Sequence, residues 1–207
     1  IPTPENVPLA VTDISHPRFT YAITKMLGES AFLNYGKKYS FPVTIVRYQN
    51  IFGPRMGFKH VIPHLVERFY NKENPFKIYG ANQTRAFCYI SDAAEGTVLA
   101  MESQNSNQEI FHMGSTEEIK ISKLVRSVGK IMSYTGNYIN GPTYPGSVSR
   151  RCPDISKAAL ELNYVPKVAW YEGLEKTVKW YIDFYSKNKK IYTGGFKPPE
   201  DLKYIND

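Results

Sequence analysis

Two residues four positions apart are the first indication of chemistry in this sequence. Tyr21 and Lys25 form the pattern Y-x-x-x-K within YAITK, and on a helix this spacing puts both side chains on one face, one turn apart. A nearby ammonium stabilises the phenolate form of a tyrosine, which lets it act as a general acid or base. The pattern alone is weak, because the chain has 16 tyrosines, and an exposed tyrosine beside a solvated lysine would look the same.

A polar loop follows the next apolar segment. The run PVTIVRY at 42–48 is short, apolar and β-branched, as is typical of a buried parallel strand. Asn50 and Arg55 lie just beyond it, in NIFGPRMG. Polar groups at the carboxyl end of a parallel strand face the ligand crevice of an open α/β sheet. A turn-forming asparagine and a surface arginine would explain the same two residues.

Two further segments place arginines beside predicted regular elements. Arg85 enters the apolar run RAFCYIS, where a guanidinium group needs an anionic partner or solvent. In SRRCPDISKAALELNY, Arg150 and Arg151 precede a short helix that is predicted to begin at Asp154. Paired arginines can form a fork for phosphate, and an exposed basic turn is the other interpretation.

These residues require a framework of helices and strands to hold them. Apolar periodicity, with Ser91 as the cap of the third helix, predicts helices over about 16–39, 61–69, 92–102, 121–133, 154–160 and 170–185. Short apolar runs predict strands at 42–48, 75–80, 85–91, 109–114 and 137–139, the last within a loop over 135–153. The alternation of helices and buried strands indicates a layered α/β sheet.

Composition and charge limit the classes of function. The 207 residues carry a net charge of +7, which favours an anionic partner. The basic residues are spread along the chain, and the densest cluster, at 187–190, lies at the end of a predicted helix, where the helix dipole favours cations. A nucleic-acid-binding module is therefore an alternative that rests on net charge alone.

Other composition signals argue against membrane, disulfide and metal classes. No apolar run is long enough to cross a bilayer, and the first residues lack the pattern of a secretory signal. The two cysteines lie in different contexts, and Cys88 is predicted to be a buried, small apolar residue. His60 and His64 have the i,i+4 spacing of a zinc pair, but without a third ligand they are interpreted as surface or packing residues.

Taken in order, four segments resemble the extended short-chain dehydrogenases/reductases that act on nucleotide sugars. They are PRFTYAITKMLGE, VRYQNIFGPRMG, the G-x-x-Q-T-R-x-F-x-Y-I-x-D run and RRCPDISKAALELNY. The resemblance extends from Pro17 to about Tyr181, and four motifs in register are much more specific than Y-x-x-x-K alone. The family includes UDP-sugar 4-epimerases, dTDP-glucose 4,6-dehydratases and UDP-glucuronate decarboxylases.

The resemblance implies a fold, a cofactor and partners. The fold would be α/β: the C-terminal part of a Rossmann-type doubly wound parallel sheet plus a small α/β substrate-binding lobe. Residues 1–50 would belong to the NAD-binding domain and 51–207 mainly to the lobe, with 84–103 packing back on the NAD-binding domain. We expect NAD as cofactor, a nucleotide-diphosphate sugar as substrate, a homodimer formed through the 16–39 helix, and a cytoplasmic location. No nucleic acid, membrane or metal is expected to take part.

The resemblance also implies roles for individual residues. Tyr21 would take the proton from the sugar 4-hydroxyl, Lys25 would hold the nicotinamide ribose, and Tyr48 would join both at the cofactor. The shared chemistry is hydride transfer from sugar C4 to NAD⁺, which gives a 4-keto intermediate. The predicted substrate contacts are Asn50 at the sugar diphosphate, Arg55 in the same loop, Ile78 and Tyr79 beside the nucleoside, Arg85 and Arg151 at the diphosphate, and Asp154 at Arg151 or a ribose hydroxyl.

Two features of the family have no counterpart in these residues. They are the glycine-rich G-x-x-G-x-x-G fingerprint and the catalytic Ser or Thr upstream of the tyrosine. The chain starts without Met in the Pro-rich stretch IPTPENVPLAV, so we expect it to be a piece of a longer protein that carries both features before Ile1. By itself the chain is expected to be inactive. The alternative function is a non-catalytic nucleotide-binding or regulatory relative of the same fold.

Overall fold

The computed structural model describes residues 1–143 and 147–188 as alternating helices and short strands. All six predicted helices are present: α1 Arg18–Tyr39, α2 Val61–Tyr70, α3 Ile90–Glu102, α4 Ile121–Ile131, α5 Ser156–Leu162 and α6 Trp170–Lys187. The strands are β1 Thr44–Tyr48, β2 Ile51–Phe52, β3 Phe76–Ile78, β4 Thr84–Ala86, β5 Cys88–Tyr89, β6 Glu109–Met113, β7 Glu118–Lys120, β8 Tyr138–Asn140 and β9 Arg150–Arg151. Within these ranges no helix is both long and apolar enough to cross a membrane.

The strands pair into small sheets that are mostly parallel. β1 pairs with β6, from Thr44 opposite Glu109 to Tyr48 opposite Met113, and β2 pairs with β5. β3 pairs with β8 in parallel, while β4 lies between antiparallel β7 and parallel β9. Parallel strands joined through helices form the α/β architecture that the sequence predicts.

The structure corrects the prediction for residues 85–91. RAFCYIS forms two strands, because Phe87 turns into the core between them and β4 and β5 then pair with different partners. Helix α3 begins at Ile90, so Ser91 lies in its first turn and is not its cap. Asp92 in that turn is buried and accepts a hydrogen bond from the Val168 amide at 3.0 Å.

The sequence does not predict β2, β7 or β9, since two or three residues are too few to show a period.

Two predictions fall partly outside the described residues. The loop predicted over 135–153 includes 144–146, and the basic cluster at 187–190 includes 189 and 190. The described part of that loop contains β8, close to the predicted 137–139 strand, and also β9.

The larger hydrophobic core joins α2, α4 and α6 to the strand β3. Its innermost side chains include Val66, Phe76, Val128 and Leu174, each 0% exposed. Phe69 of α2 stacks on Phe76 of β3 with the ring centres 3.8 Å apart. Burying side chains of this size stabilises the fold by about 1.5–3 kcal/mol each, so this core fixes the lobe that carries β4 and β9.

A second, smaller core lies between α3, α5 and β6. A Cβ at Gly96 of α3 would lie 2.5 Å from the Met113 sulfur and 2.8 Å from the Tyr164 ring, so glycine allows α3 to approach β6 closely. Helix α3 also packs on β1. The packing of residues 84–103 back on the NAD-binding domain and the division at residue 50 both stay proposals.

The half-buried His64 of α2 generates a prediction about pH. Burial, and then the charge of Arg68, lowers the pKa of His64 from 6.5 to about 4, against a smaller opposing effect of Glu73. The unfolded chain therefore takes up a proton near pH 6.5 that the folded chain does not accept until about pH 4. Stability should accordingly fall as the pH falls through this window.

His64→Gln removes the titrating group, so its urea midpoint should change less between about pH 7 and pH 5 than that of the parent chain. The matched control is His60→Gln, at an exposed position just before the same helix, which should keep the parent pH dependence. An unchanged pH dependence in His64→Gln would assign the loss to another group.

Candidate active site

The predicted catalytic pair lies on an exposed face of α1. Tyr21 is 71% exposed, and the Lys25 ammonium lies 5.3 Å from the centre of the Tyr21 ring. The i,i+4 spacing thus produces the shared face that the sequence predicts. A phenol and an ammonium group in this arrangement can bind a hydroxyl group and exchange its proton.

The carboxyl end of β1 leads into a loop with two residues in the left-handed region. Asn50 has a φ of 46° and Arg55 a φ of 66°. Asparagine tolerates this region, whereas arginine is uncommon there, and residues held in such conformations concentrate at functional sites. The Asn50 amide donates to the Ala86 carbonyl at 2.8 Å. Asn50 therefore ties the end of β1 to the junction of β4 and β5 and shapes the crevice at the strand ends.

Tyr48 lies on the face of β1 that is turned away from α1. Its hydroxyl is 2.8 Å from Thr97 Oγ1 of α3, whereas Arg47, one position earlier, bonds to Glu29 of α1. Successive strand residues point to opposite faces. The structure therefore does not bring the Tyr48 side chain to Lys25, and a contact of Tyr48 with a cofactor there would come from its backbone.

Strands β4 and β9 bring the two predicted diphosphate arginines into register. Arg85 and Arg151 are Cα partners in this parallel pair, and neighbouring strands lie about 4.8 Å apart, so both side chains project from one face. The Arg85 guanidinium donates to the carbonyls of Thr84 at 2.7 Å and Val148 at 2.8 Å, while Arg151 is exposed. Adjacent guanidinium groups repel each other, and an anion such as a diphosphate relieves that repulsion.

Arg150, next to Arg151, has a structural contact instead. It forms a bidentate ion pair with Glu118 of β7, at 2.9 and 2.5 Å, and Thr84 donates to the same carboxylate at 2.6 Å. These hydrogen bonds, the one from Arg150 first, lower the pKa of Glu118 to about 2. Arg150 thus holds β7 to β9, and its neighbour Arg151 faces the other side, with Arg85.

Three predicted substrate residues have structural contacts of their own. Ile78 is 1% exposed and strand alternation turns its side chain into the core, so a place of Ile78 beside the nucleoside stays a prediction and would involve its backbone. Tyr79, the next residue, is half-buried, with the Arg68 guanidinium carbon 5.6 Å from its ring centre. Asp154 accepts a hydrogen bond from the Ser156 amide at 2.8 Å, and hydrogen bonds from Ser156 lower the pKa of its carboxyl group. Asp154 therefore holds the start of α5, and its contact with Arg151 or a ribose stays a prediction.

The ion pair between Glu29 and Arg47 is not predicted from the sequence. Arg47 donates to the two Glu29 carboxylate oxygens at 2.8 and 2.6 Å, and to the Glu5 carbonyl at 3.0 Å. A signal was present, because an arginine within the apolar strand TIVRY requires an anionic partner. Nothing in the sequence says which of the 19 acidic residues that partner is.

The thiol of Cys88 lies in the core, away from this arrangement. Cys88 is 1% exposed, as predicted for a small apolar residue, and burial raises the pKa of its thiol to about 11. Among the residues that the structure describes, no three His, Cys, Asp or Glu side chains come together as a metal site requires.

An open groove of about 660 Å³ lies between the amino end of β1 and the carboxyl end of α3. Its walls include Thr44, Val46 and Met101. Ligands of open α/β sheets bind outside the carboxyl ends of the strands, which here is the Asn50 end. The groove is therefore separate from the candidate site.

Comparison with known proteins gives consistent matches. The model of the NAD dependent epimerase/dehydratase family matches residues 2–114. The UDP-N-acetyl-alpha-D-glucosaminuronate decarboxylase of Bacillus cytotoxicus is 34% identical over 174 residues, which cover 79% of this chain and 53% of that protein. The dTDP-D-glucose 4,6-dehydratase of Homo sapiens is 27% identical over 182 residues, which cover 84% of this chain and 51% of that protein.

Solved structures show the same fold. The UDP-glucuronic acid 4-epimerase from Bacillus cereus, in complex with UDP-glucuronic acid and NAD, matches with a TM-score of 0.74 and 29% identity. The match covers 86% of this chain and 55% of that one. It confirms the expected α/β, Rossmann-type fold. The chain spans about half the length of the curated relatives it matches.

The paired arginines generate a prediction about anion binding. Replacing Arg85 or Arg151 with Ala should weaken the binding of UDP or dTDP to the intact natural protein about tenfold or more. The physical reason is that one hydrogen bond to a charged group contributes about 1.5–3 kcal/mol. Calorimetry measures the affinities directly.

Arg150→Ala is the matched control, because it removes the same charge one residue away but from the opposite face. Its affinity for UDP should fall clearly less than that of Arg151→Ala, because Arg150 supports β9 through Glu118 but its side chain faces away from the proposed anion site. Equal losses in Arg150→Ala and Arg151→Ala would show that net charge, and not the register of β4 with β9, governs binding.

Proposed function

Because the chain belongs to the NAD dependent epimerase/dehydratase family, we propose that its protein modifies a nucleotide sugar through a 4-keto intermediate, as an epimerase or dehydratase. The resemblance to extended short-chain dehydrogenases/reductases is thereby confirmed, and the family is NAD dependent. The observation that carries the proposal is the Tyr21–Lys25 pair on one exposed helix face. Relatives named for 4-epimerisation, 4,6-dehydration and decarboxylation support this class of substrate.

Tyr21 would be the acid and base at sugar C4. Its phenolate accepts the proton of the 4-hydroxyl as the C4 hydrogen leaves as hydride, so that a C4 carbonyl forms. The same phenol returns the proton when the carbonyl is reduced. Lys25, one helical turn away, supplies the positive charge that stabilises the phenolate.

The side chain of Lys25 also fits the ribose of NAD. Its ammonium has three donors and is exposed beside Tyr21, as binding of a ribose diol requires. When bound, NAD supplies the acceptor for the C4 hydride. The glycine-rich turn that binds the pyrophosphate in this fold has no counterpart in the 207 residues. The contact proposed for this chain is therefore the one between Lys25 and the ribose at the nicotinamide end of NAD.

The substrate diphosphate would bind at Arg85 and Arg151. The main-chain carbonyls around Arg85 hold its guanidinium in place before a ligand arrives, which reduces the entropy lost on binding. Tyr79 at the end of β3 would lie beside the nucleoside, and Asn50 and Arg55 beside the sugar. The sugar end of the substrate would then lie towards the carboxyl end of β1, where α/β sheets bind their ligands.

Tyr21→Phe tests the catalytic role. The variant keeps the ring beside Lys25 and removes only the hydroxyl, so turnover of UDP- and dTDP-sugars should fall about 100-fold or more. The affinities for NAD and UDP should change by about twofold or less. Steady-state assays with a sugar-nucleotide panel, and calorimetry, measure both. Tyr35→Phe is the matched control, since Tyr35 is a 58% exposed tyrosine of the same helix, and equal activity of the two variants would refute the assignment.

We also propose that α1 forms the contact of a homodimer. Leu27 is 68% and Phe32 62% exposed, with Tyr35 and Tyr39 exposed further along the same helix. Phe32, Tyr35 and Tyr39 follow one another at spacings of three and four and therefore lie along one face of α1. Large exposed apolar side chains grouped in this way mark sites of protein contact. The resemblance to the family independently implies a dimer.

Leu27→Glu tests the dimer. It places a charge in the proposed interface, so sedimentation should show monomers at concentrations where the parent protein is dimeric. Leu160→Glu is the matched control, because Leu160 is 83% exposed on α5, and it should stay dimeric. A monomeric parent protein would remove the proposal.

A further inference from the structure

The ion pair between Glu29 and Arg47 lies where it can set the position of the catalytic helix. We propose that this pair, together with the Glu5 carbonyl, positions Tyr21 and Lys25 at the carboxyl end of β1. The inference rests on the proposed function and adds positioning residues to it. Glu29 follows Lys25 by one helical turn and Tyr21 by two, so the three side chains lie along one stripe of α1.

The geometry of Arg47 restricts how α1 can lie on β1. All three guanidinium nitrogens donate, Nε and Nη2 to Glu29 at 2.8 and 2.6 Å, and Nη1 to the Glu5 carbonyl at 3.0 Å. A planar fork satisfies all three acceptors in only a narrow range of orientations. The two side chains are 15% and 18% exposed, so water is a poor substitute for either partner.

Within the described part of the chain, helix α1 has little apolar packing that could fix its orientation on β1. Among its described positions only Gly36 is fully buried. The residues on the catalytic stripe, Tyr21 and Lys25, are exposed, as their chemistry requires. A polar anchor of defined geometry one turn away is therefore the contact on this stripe that fixes the rotation of the helix.

The third bond of Arg47 extends the anchor to the substrate side. Thr3, two residues before Glu5, donates its amide to the Cys152 carbonyl at 3.0 Å and accepts from the Asp154 amide at 2.8 Å. Residues 3–5 thereby connect the segment just after Arg151 with Arg47. Through this connection the diphosphate arginine and the catalytic helix keep a fixed separation, and a shift of about 1 Å between them would cost about 100-fold in rate.

Arg47→Met keeps an unbranched stem of four heavy atoms and removes the three hydrogen bonds together with the guanidinium group. In the intact natural protein with its NAD, kcat should fall about 10- to 100-fold. KM for the nucleotide sugar should change by about twofold or less, because Arg85 and Arg151 are untouched. Glu29→Gln should lower kcat in the same way. Arg47→Lys, which keeps the charge but not the fork, should recover only part of kcat.

Arg68→Met is the matched control. Arg68 makes a similar set of bonds, from Nε and Nη2 to Glu73 at 2.7 and 2.6 Å and from Nη2 to the Lys77 carbonyl at 2.6 Å, and is 14% exposed. It lies in α2, so the variant should lower thermal stability about as much as Arg47→Met but keep kcat within about twofold. Because Arg68 lies against the Tyr79 ring, the variant could also disturb the proposed nucleoside contact, and that disturbance would change KM and not kcat.

Two results would overturn the proposal: equal loss of kcat in Arg47→Met and Arg68→Met, or a parental kcat in Arg47→Met. If Arg47→Met does not fold, parental kcat in both Arg47→Lys and Glu29→Gln overturns it. A fully active Tyr21→Phe is a different outcome, because it refutes the proposed function on which the inference rests.

Discussion

A guanidinium group that leaves water must keep both its hydrogen bonds and a counter-charge, and this constraint organises the described chain. Arg47 meets it with Glu29 and Arg68 with Glu73, each through a bidentate pair. Arg150, which is 53% exposed, forms a third bidentate pair, with Glu118. The pairs join β1 to α1, the end of α2 to the segment before β3, and β9 to β7. The first and third hold the two elements on which the proposed chemistry depends, the catalytic helix and the strand of Arg151.

The proposed site is divided between these two elements. Tyr21 and Lys25 lie on α1, whereas Arg85 and Arg151 lie in a sheet supported by the larger core. The strand-end loop at Asn50 lies between them and is tied to that sheet by the bond to the Ala86 carbonyl. A site built this way binds one substrate through two rigid supports, so its precision depends on the contacts that join them.

The helices could be predicted from the sequence because each repeats its apolar spacing over several turns, as α2 does through Leu65, Val66 and Phe69. The strands were harder to predict. β2 and β9 have two residues each, and β4 and β5 differ from one continuous strand only in their partners. Within the site, the shared face of Tyr21 and Lys25 could be predicted from their spacing, because residues four positions apart lie on the same side of a helix. The core position of Ile78 was not visible in sequence, because strand alternation gives two faces without saying which is inward.

By itself, the sequence determined the order of the helices and the longer strands, the α/β class, the family and the local pairs, because these depend on neighbours within a few turns. The family resemblance indicated Arg85 and Arg151, but only the tertiary structure gave the register that sets them side by side. It alone also decided that Tyr48 faces α3 and that Arg47 bonds Glu29. These outcomes depend on strand register and on which faces are buried. Register is fixed by packing and hydrogen bonding between segments that are distant in the chain, and a shift of one residue would have set Arg150 beside Arg85.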